Sequence, residues 1–291
     1  MSTVATDMKI AGRTRRARDR LMTGVMLLSV VLTLIPLVWV MAYVAAQGVK
    51  YLGPEFLRSN PPANPSLAGG GFFNGIVGTL ETVGLAFAIA APLGILTAVY
   101  LVEYGRGAFG HTVRFFTDVL VGIPSIVTGA FVYAIWVTRY GFSGIAGSIS
   151  LAIVMVPLVV RSSEEILRLV PNDLREASYA LGVPRWRTIL KVVLPTAWTG
   201  ITTGLMLAAA RAAGETAPLL LTALGNDLFT EFNPAKRMST LTLQIFGNAI
   251  SGFKAAQARA WAGALTLILM VLVLTVLARF LAARGGRASK R

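Results

Sequence analysis

The stretch that decides the fold covers residues 171–195 and reads PNDLREASYALGVPRWRTILKVVLP. Its apolar residues recur at intervals of three and four, which is typical of amphipathic helices. Gly182 interrupts this pattern because glycine readily ends a helix in the left-handed conformation, and a proline suited to the first turn of a helix follows. We therefore expect two short helices that meet at a sharp turn, with Asp173 and Glu176 capping the first helix and Pro195 ending the second.

Long apolar segments flank this polar stretch on both sides. The chain has 291 residues, of which 55% are hydrophobic and 14% charged, whereas about a quarter of the residues of a soluble domain are charged. A helix needs about 20 apolar residues to cross the hydrocarbon core of a membrane. The composition therefore excludes a typical soluble enzyme and predicts an all-α, polytopic membrane protein. Six segments qualify as transmembrane helices: 21–46, 73–102, 115–138, 145–160, 197–224 and 260–282. The fourth is short and ends near Pro157, so we expect it to be bent or joined to the helix that follows.

The basic residues are distributed unevenly among the segments that connect these helices. Lys and Arg number 27 against 13 Asp and Glu, for a net charge of +14. Nineteen of these cations fall in the two terminal tails and in loops 103–114 and 161–196, whereas seven fall in the opposite loops. Cationic flanks are retained on the cytoplasmic side of a membrane, so both termini should be cytoplasmic. We expect residues 1–20 and 284–291 to be basic cytoplasmic tails of a transmembrane domain at 21–283, and the charge requires no nucleic acid as a partner.

The residues that most enzymes and metal sites require are nearly absent. The chain has no Cys and one His, His111, so thiol chemistry and His- or Cys-rich metal sites are excluded. None of its six Lys residues follows a Gly, as the phosphate-binding loop of an ATPase requires. No Ser/His or paired-carboxylate arrangement indicates an intramembrane enzyme. We predict no catalytic, metal-binding or cofactor-binding residue in the chain.

Charged residues inside the apolar segments are candidates for function, because burying a charge in a membrane is costly. Arg211 and Glu215 lie four residues apart in the run ARAAGETAPLL at 210–220. The planar guanidinium of arginine suits phosphate oxyanions. Arg211 is therefore expected either to meet a translocated anion, pairing with Glu215 when the path is empty, or to form a permanent structural ion pair. Glu81 is a third candidate, which would line the path, pair with Arg211 or lie at the external interface. Arg211, Glu215 and Glu81 could also pass protons along the path, as in a proton-coupled secondary transporter.

The stretch at 171–195 resembles the EAA loop of ABC importer permeases, in which Glu-Ala-Ala is followed by three residues, Gly, nine residues, Ile, one residue and Leu-Pro. The matching residues here are Glu176, Ala177, Gly182, Leu194 and Pro195, with Ser178 in place of the second Ala and Val192 in place of the Ile. In that family the loop is a coupling helix that docks in a groove of a cytoplasmic ATPase subunit. The resemblance therefore implies that these residues couple the chain to a separate ATPase, which a secondary transporter would not need.

Over nearly the whole chain, the sequence resembles the PstA-type permeases of phosphate ABC importers. This resemblance is carried by the EAA-like loop, the six apolar segments, the run ARAAGETAPLL and the motif PSIVTG at 124–129. It implies the fold of ABC type I importer permeases, a multi-pass location in the cell membrane among its lipids, and import of inorganic phosphate by alternating access. It also implies a PstC-like permease, two PstB-like ATPase subunits and an extracytoplasmic PstS-like phosphate-binding protein as partners.

The resemblance implies no cofactor in this chain, because ATP and Mg²⁺ would be bound by the ATPase subunits. Two alternatives stay open at this point. Arg211 by itself does not distinguish phosphate from sulfate, molybdate or another oxyanion. The second permease is either a different chain or a second copy of this one.

Overall fold

The computed structural model describes residues 2–105 and 107–288, with side chains described at Arg15, 18–105 and 107–280. Within these residues the chain is helical and has no β-strand, which confirms the predicted all-α class. The helices in chain order are α1 (Ser2–Gly48), α2 (Phe73–Val99), α3 (Ala108–Gly122), α4 (Ser125–Val132), α5 (Thr138–Tyr140), α6 (Gly144–Arg168), α7 (Asn172–Ala180), α8 (Arg185–Thr188), α9 (Leu194–Ala213), α10 (Ala217–Leu220), α11 (Leu241–Ala249) and α12 (Lys254–Ala288). Wider π-helical turns follow α2, α4 and α8, at Tyr100–Tyr104, Tyr133–Val137 and Ile189–Val193.

The chain divides into two compact units, of which the first is residues 1–47. This unit consists of α1, which contains the first predicted span at 21–46. Its apolar side chains between Leu21 and Tyr43 are exposed, as expected of a helix whose surroundings are lipid. The predicted basic tail at 1–20 is helical from Ser2 onward. Its cytoplasmic location stays a prediction, as does that of the tail at 284–291, whose last three residues lie outside the described residues.

Hydropathy correctly located the helices that are long enough to cross a membrane. Five apolar helices of this kind lie within the described residues. A sixth crossing results if α3 and the segment from Ser125 to Tyr140 are counted as one broken span, since the two are bent by 101°. The break occurs at Pro124, which has no N–H to donate, and the preceding Ile123 is extended with ψ at 128°. Proline imposes this extended conformation on its predecessor, so the third span predicted at 115–138 is a broken one.

Two other predicted spans have different ends in the structure. The fourth, predicted to end at residue 160, continues as α6 to Arg168. Its charged final turns are stabilised by ion pairs four residues apart, including Arg168 Nη2 with Glu164 Oε1 at 2.6 Å. The fifth, predicted to reach residue 224, ends as α9 at Ala213, and the short α10 follows it.

The core of the second unit, residues 48–291, is formed by α2, α6 and α9. Helix α2 presents small side chains such as Ala86, Ala90 and Ala98, all fully buried. They lie in one buried cluster with larger residues of α6, including Leu151 and Met155. Small residues at a contact between transmembrane helices allow their backbones to approach closely. This packing fixes the positions from which the functional segments project.

Arg259 of α12 fastens the irregular segment between α1 and α2. Its side chain is buried, and its guanidinium donates hydrogen bonds to the backbone carbonyls of Pro65 at 2.8 Å, Leu67 at 2.6 Å and Gly69 at 3.3 Å. Backbone groups in such a segment have no helical partners, so a guanidinium with several donors can satisfy a number of them at once. The segment is thereby held against the bundle.

Candidate coupling site and substrate path

The EAA-like stretch folds into the two short helices expected from the sequence. They are α7 and α8, joined by a turn in which Gly182 has φ at +74°. The amide of Gly182 donates to the carbonyl of Tyr179 at 2.9 Å, and that of Val183 donates to the carbonyl of Ser178 at 3.2 Å. A Cβ atom at Gly182 would meet nothing within 4 Å. Glycine is therefore required by the left-handed backbone conformation and not by crowding. We call residues 172–188 the α7–α8 hairpin.

Two local predictions for this stretch are wrong. The N-cap of α7 is Pro171, and no side chain caps the helix, so Asp173 lies in its first turn instead of preceding it. Pro195 does not end a helix, because the π-helical turn at Ile189–Val193 leads directly into α9, whose second residue is Pro195. Proline is tolerated in the first turn of a helix, so the hairpin and the fifth membrane helix are continuous.

The residues that match the EAA pattern divide into an exposed and an internal group. Glu176 and Ala177 are exposed on α7, whereas Ser178 is buried and its hydroxyl lies 2.8 Å from that of Thr188 on α8. This hydroxyl contact joins the two helices, which explains why a small polar residue fits at position 178. Leu194 is half-buried in the first turn of α9.

The exposed side of the hairpin is strongly apolar. Leu181 is 83% exposed at the turn, and Trp186 of α8 is 56% exposed. Leu190, in the π-helical turn that follows, is also 56% exposed. Large apolar side chains that are exposed within one short segment indicate a contact with another protein.

A cleft of about 560 Å³ lies between the hairpin and the end of α2. It is lined by Val102, Glu103, Tyr104, Arg168, Asn172, Arg175, Glu176, Tyr179 and Arg185. Arg175 and Arg185 are two of the cations of the predicted cytoplasmic loop 161–196. In the structure they contact Glu103, a residue that no local pattern had singled out.

The candidate path residues lie where α9 ends. Arg211 is in the last turn of α9, and Glu215 follows the end of the helix, with Arg211 Nε 3.7 Å from Glu215 Oε1. The pair therefore forms as predicted, although the two residues are not on one continuous helix. The side chain of Arg211 is 59% exposed and that of Glu215 17%, so the guanidinium retains donors that face outward from the pair.

Glu81 of α2 is not paired with Arg211 among the described side chains. Its carboxyl oxygen Oε2 is buried and has no hydrogen-bond partner there. An unsatisfied carboxyl oxygen within a membrane helix is costly, which keeps Glu81 a functional candidate.

The two motifs that carried the resemblance to phosphate permeases contact each other. Gly129, in the motif at 124–129, lies against Pro218, in the run at 210–220. A Cβ atom at Gly129 would lie 2.6 Å from the Cα atom of Pro218, so only glycine permits this approach. The broken third span is thus packed against the segment that follows Arg211 and Glu215. No cluster of His, Cys, Asp or Glu that could hold a metal ion occurs in the part of the chain that the structure describes.

Comparisons with known proteins agree with this architecture. Residues 90–286 match the family model described as "Binding-protein-dependent transport system inner membrane component". The phosphate transport system permease protein PstA 1 of Mycobacterium tuberculosis strain H37Rv is 41% identical over 285 residues, covering 94% of this chain and 91% of the relative. The corresponding PstA of Yersinia pestis is 42% identical over 273 residues, covering 93% and 92%.

Solved structures of low sequence identity share the fold. A crystal structure of a bacterial alginate ABC transporter has a TM-score of 0.66 at 16% identity, covering 92% of this chain and 95% of that chain. The inward-facing MetNI methionine ABC transporter has a TM-score of 0.52 at 20% identity, covering 75% and 94%. The predicted fold of ABC importer permeases is thus confirmed, and the chain is a multi-pass transporter subunit. It belongs to the family of binding-protein-dependent transport system inner membrane components, on the PstA-type branch of that family.

Proposed function

We propose that this chain is the permease subunit through which an ATP-driven importer moves inorganic phosphate into the cell. The assignment of phosphate as the substrate rests on one observation: the chain is about 41% identical, over nearly its full length, to PstA proteins whose names state phosphate transport. In this proposal a PstC-like permease completes the path, two PstB-like subunits bind and hydrolyse ATP with Mg²⁺, and a PstS-like protein delivers phosphate from outside. Both termini and the α7–α8 hairpin lie in the cytoplasm, in keeping with the excess of cations in those segments.

The α7–α8 hairpin is the contact through which the ATPase acts on the permease. Its exposed apolar residues Leu181 and Trp186 provide the buried centre of such a contact, and the exposed Glu176 supplies a charge at its edge. Because the hairpin continues into α9, a displacement imposed by the ATPase is passed to the helix that carries Arg211. Closure of the ATPase subunits would thus change access to the path by a rigid-body movement.

Phosphate recognition in the path is assigned to Arg211, Glu215 and Glu81. The exposed guanidinium of Arg211 can bind phosphate oxygens in a bidentate manner. Glu215 neutralises Arg211 when no anion is present, which lowers the cost of keeping the charge in the membrane. Glu81 adds a carboxyl group that, when protonated, can donate a hydrogen bond to the anion.

The substrate is tested by uptake into proteoliposomes that contain this chain, its second permease and the ATPase subunits, supplied with the binding protein outside and ATP inside. We expect ATP-dependent uptake of phosphate and little of sulfate or molybdate. Preferential uptake of another oxyanion would contradict the substrate assignment while leaving the ATP-driven mechanism in place. Uptake that runs on a proton gradient with no ATPase subunit present would instead support a secondary transporter.

Substitution of Arg211 tests its place in the path. Arg211→Ala and Arg211→Lys should each lower phosphate uptake at least tenfold while the subunits still purify together, because lysine lacks the planar fork. Arg139→Ala, which removes an exposed arginine at the end of α5, is the matched control and should leave uptake unchanged. Normal uptake by both Arg211 variants would exclude Arg211 from the path and leave the structural ion pair as its role.

A further inference from the structure

Arg175 of α7 is half-buried and joins the hairpin to two membrane helices. Its side chain is 12% exposed, and its Nε atom lies 3.1 Å from Oε1 of Glu103. Its two terminal nitrogens donate to the carbonyls of Val170 at 2.6 Å and Leu167 at 3.1 Å, at the end of α6. Four backbone carbonyls at the end of a helix lack helical partners, and an arginine is well suited to satisfy them. One guanidinium therefore links three elements, α7, α6 and the end of α2.

Glu103 is the partner of Arg175 in the π-helical turn that continues α2. Its side chain is only 4% exposed, and Arg175 is its one ion-pair partner among the described residues. Its backbone carbonyl accepts a hydrogen bond from Arg185 of α8. The guanidinium of Arg185 also lies over the ring of Tyr104, 4.6 Å from its centre. Both helices of the hairpin are thus attached to the same turn at the end of α2.

The hairpin has short covalent connections to α6 and to α9 but none to α2. Helix α8 passes through a π-helical turn into α9, whereas α2 lies about 70 residues earlier in the sequence, since Glu103 and Arg175 are 72 residues apart. Any movement of the hairpin that reaches α2 must therefore pass through side-chain contacts. The Arg175–Glu103 pair is the ion pair among them, and the buried charge of Glu103 is costly to separate from its partner.

We propose that Arg175 is a positioning residue that makes α2, α6 and α9 move as one body when the ATPase displaces the hairpin. Without the Arg175–Glu103 pair, the hairpin would still bind the ATPase and pull α6 and α9, to which it is covalently joined, but the end of α2 would not follow. ATP would then be hydrolysed without a matching movement of phosphate. This inference rests on the proposed coupling function of the hairpin.

The test is the number of phosphate ions imported per ATP hydrolysed, measured in proteoliposomes that contain the full complex. Arg175→Gln and Glu103→Gln should each lower this ratio at least fivefold, while the ATPase subunits still copurify and still hydrolyse ATP. The double variant should be no worse than Arg175→Gln, because Arg175→Gln already removes the interaction with Glu103. Arg187→Gln is the matched control, since Arg187 is an exposed arginine of the same hairpin whose guanidinium lies beside Trp186. It should leave the ratio unchanged.

If the glutamine variants do not assemble, the proposal is tested with Arg175→Lys. Lysine can keep the charge next to Glu103 but cannot also reach both carbonyls of α6, so we expect a ratio at least twofold below that of the wild type. A wild-type ratio in this variant, or in Arg175→Gln, would overturn the proposal. Failure of the proposed function looks different, because the wild-type complex itself would then show no ATP-driven uptake.

A distance measurement separates transmission of movement from a merely structural role. The chain has no native cysteine, so spin labels can be attached to two introduced cysteines, one on the hairpin and one at Leu96→Cys, an exposed position on α2. The label on the hairpin is placed at Asp173→Cys in the exposed first turn of α7 instead of at Leu181, because Leu181 belongs to the proposed ATPase contact. In the otherwise wild-type complex the distance between the labels should stay the same when ATP is added. In the Arg175→Gln complex it should change or broaden on ATP binding. An identical response of the two complexes would contradict the proposal.

Discussion

Replacing Gly182 tests whether the sharp turn of the α7–α8 hairpin is required for ATPase binding. Gly182 has φ at +74°, a conformation that side chains with a branched Cβ atom strongly disfavour. A Cβ atom at this position would meet nothing within 4 Å. The variant Gly182→Val therefore introduces backbone strain without any clash, and Gly182→Asn is its control, because asparagine tolerates this conformation.

The expected magnitude follows from the cost of the left-handed conformation. For a residue with a Cβ atom this cost is about 1–2 kcal/mol. The turn is exposed, and inside the hairpin the hydroxyl contact between Ser178 and Thr188 is the one side-chain hydrogen bond between α7 and α8 in the described residues. We therefore expect the strain to be relieved by opening of the turn. Since every 1.4 kcal/mol corresponds to a factor of ten, the apparent Kd for the ATPase subunit should rise roughly 5- to 30-fold in Gly182→Val.

The assay is titration of the purified permease complex with labelled ATPase subunit. Gly182→Asn should bind within about twofold of the wild type, because it pays little of the left-handed cost. Equal affinity of the valine and asparagine variants for the ATPase subunit would refute the reasoning, since it would mean that ATPase binding does not depend on the geometry of this turn. Circular dichroism of both variants would show whether the helical content is retained.

Three further predictions concern charged groups outside the turn. Arg259→Gln should lower the free energy of unfolding in detergent by about 2 kcal/mol, because hydrogen bonds from a charged group to three carbonyls are lost, and it should expose the segment at 61–69 to protease. Glu164→Gln removes the negative charge of a side chain that is 4% exposed and bonded to two arginines. It should also lower the free energy of unfolding by about 2 kcal/mol, measured by thermal unfolding. Its control Glu165→Gln removes a carboxylate that is 69% exposed and should cost less than about 1 kcal/mol. The pKa of Glu231 is lowered by a hydrogen bond from the backbone N–H of Asn233 and by a nearby lysine. Protection of the Asn233 amide from hydrogen exchange should therefore be present above the usual pKa of a glutamate, be lost as the pH falls through the lowered pKa, and be independent of pH in Glu231→Gln.

Local patterns in the sequence were sufficient for the long helices and for the turn. The apolar runs placed α1, α2 and α12 because a membrane helix needs a minimum apolar length that ordinary soluble helices lack. Gly182 marked the turn because few residues other than glycine adopt positive φ. The same local reasoning failed at Pro195, where proline was read as the end of a helix. The preceding π-helical turn instead lets the chain continue into α9.

The ends of α6 and α9 and the angle of the bend at Pro124 depended on interactions that local patterns do not contain. Polar residues after position 160 looked like a loop, but they stay helical to Arg168 because their charges pair along and between helices. Pro124 lies inside the predicted third span, and the size of the bend there, 101°, is a property of the folded chain. A hydropathy average over many residues contains neither ion pairs between helices nor the angle of a bend.

Length, hydropathy, cation distribution and the pattern around Gly182 were enough to predict an all-α membrane protein with a helical hairpin, because each of these properties resides in neighbouring residues. The permease assignment came from the resemblance of that stretch to the EAA loop. Only the tertiary structure decided that Gly129 lies against Pro218 and that Arg175 reaches Glu103. Residues that are 72 positions apart meet because α2 and α6 pack through small side chains, and the closeness of two helices is a property of their combined surfaces. No segment read by itself contains that information.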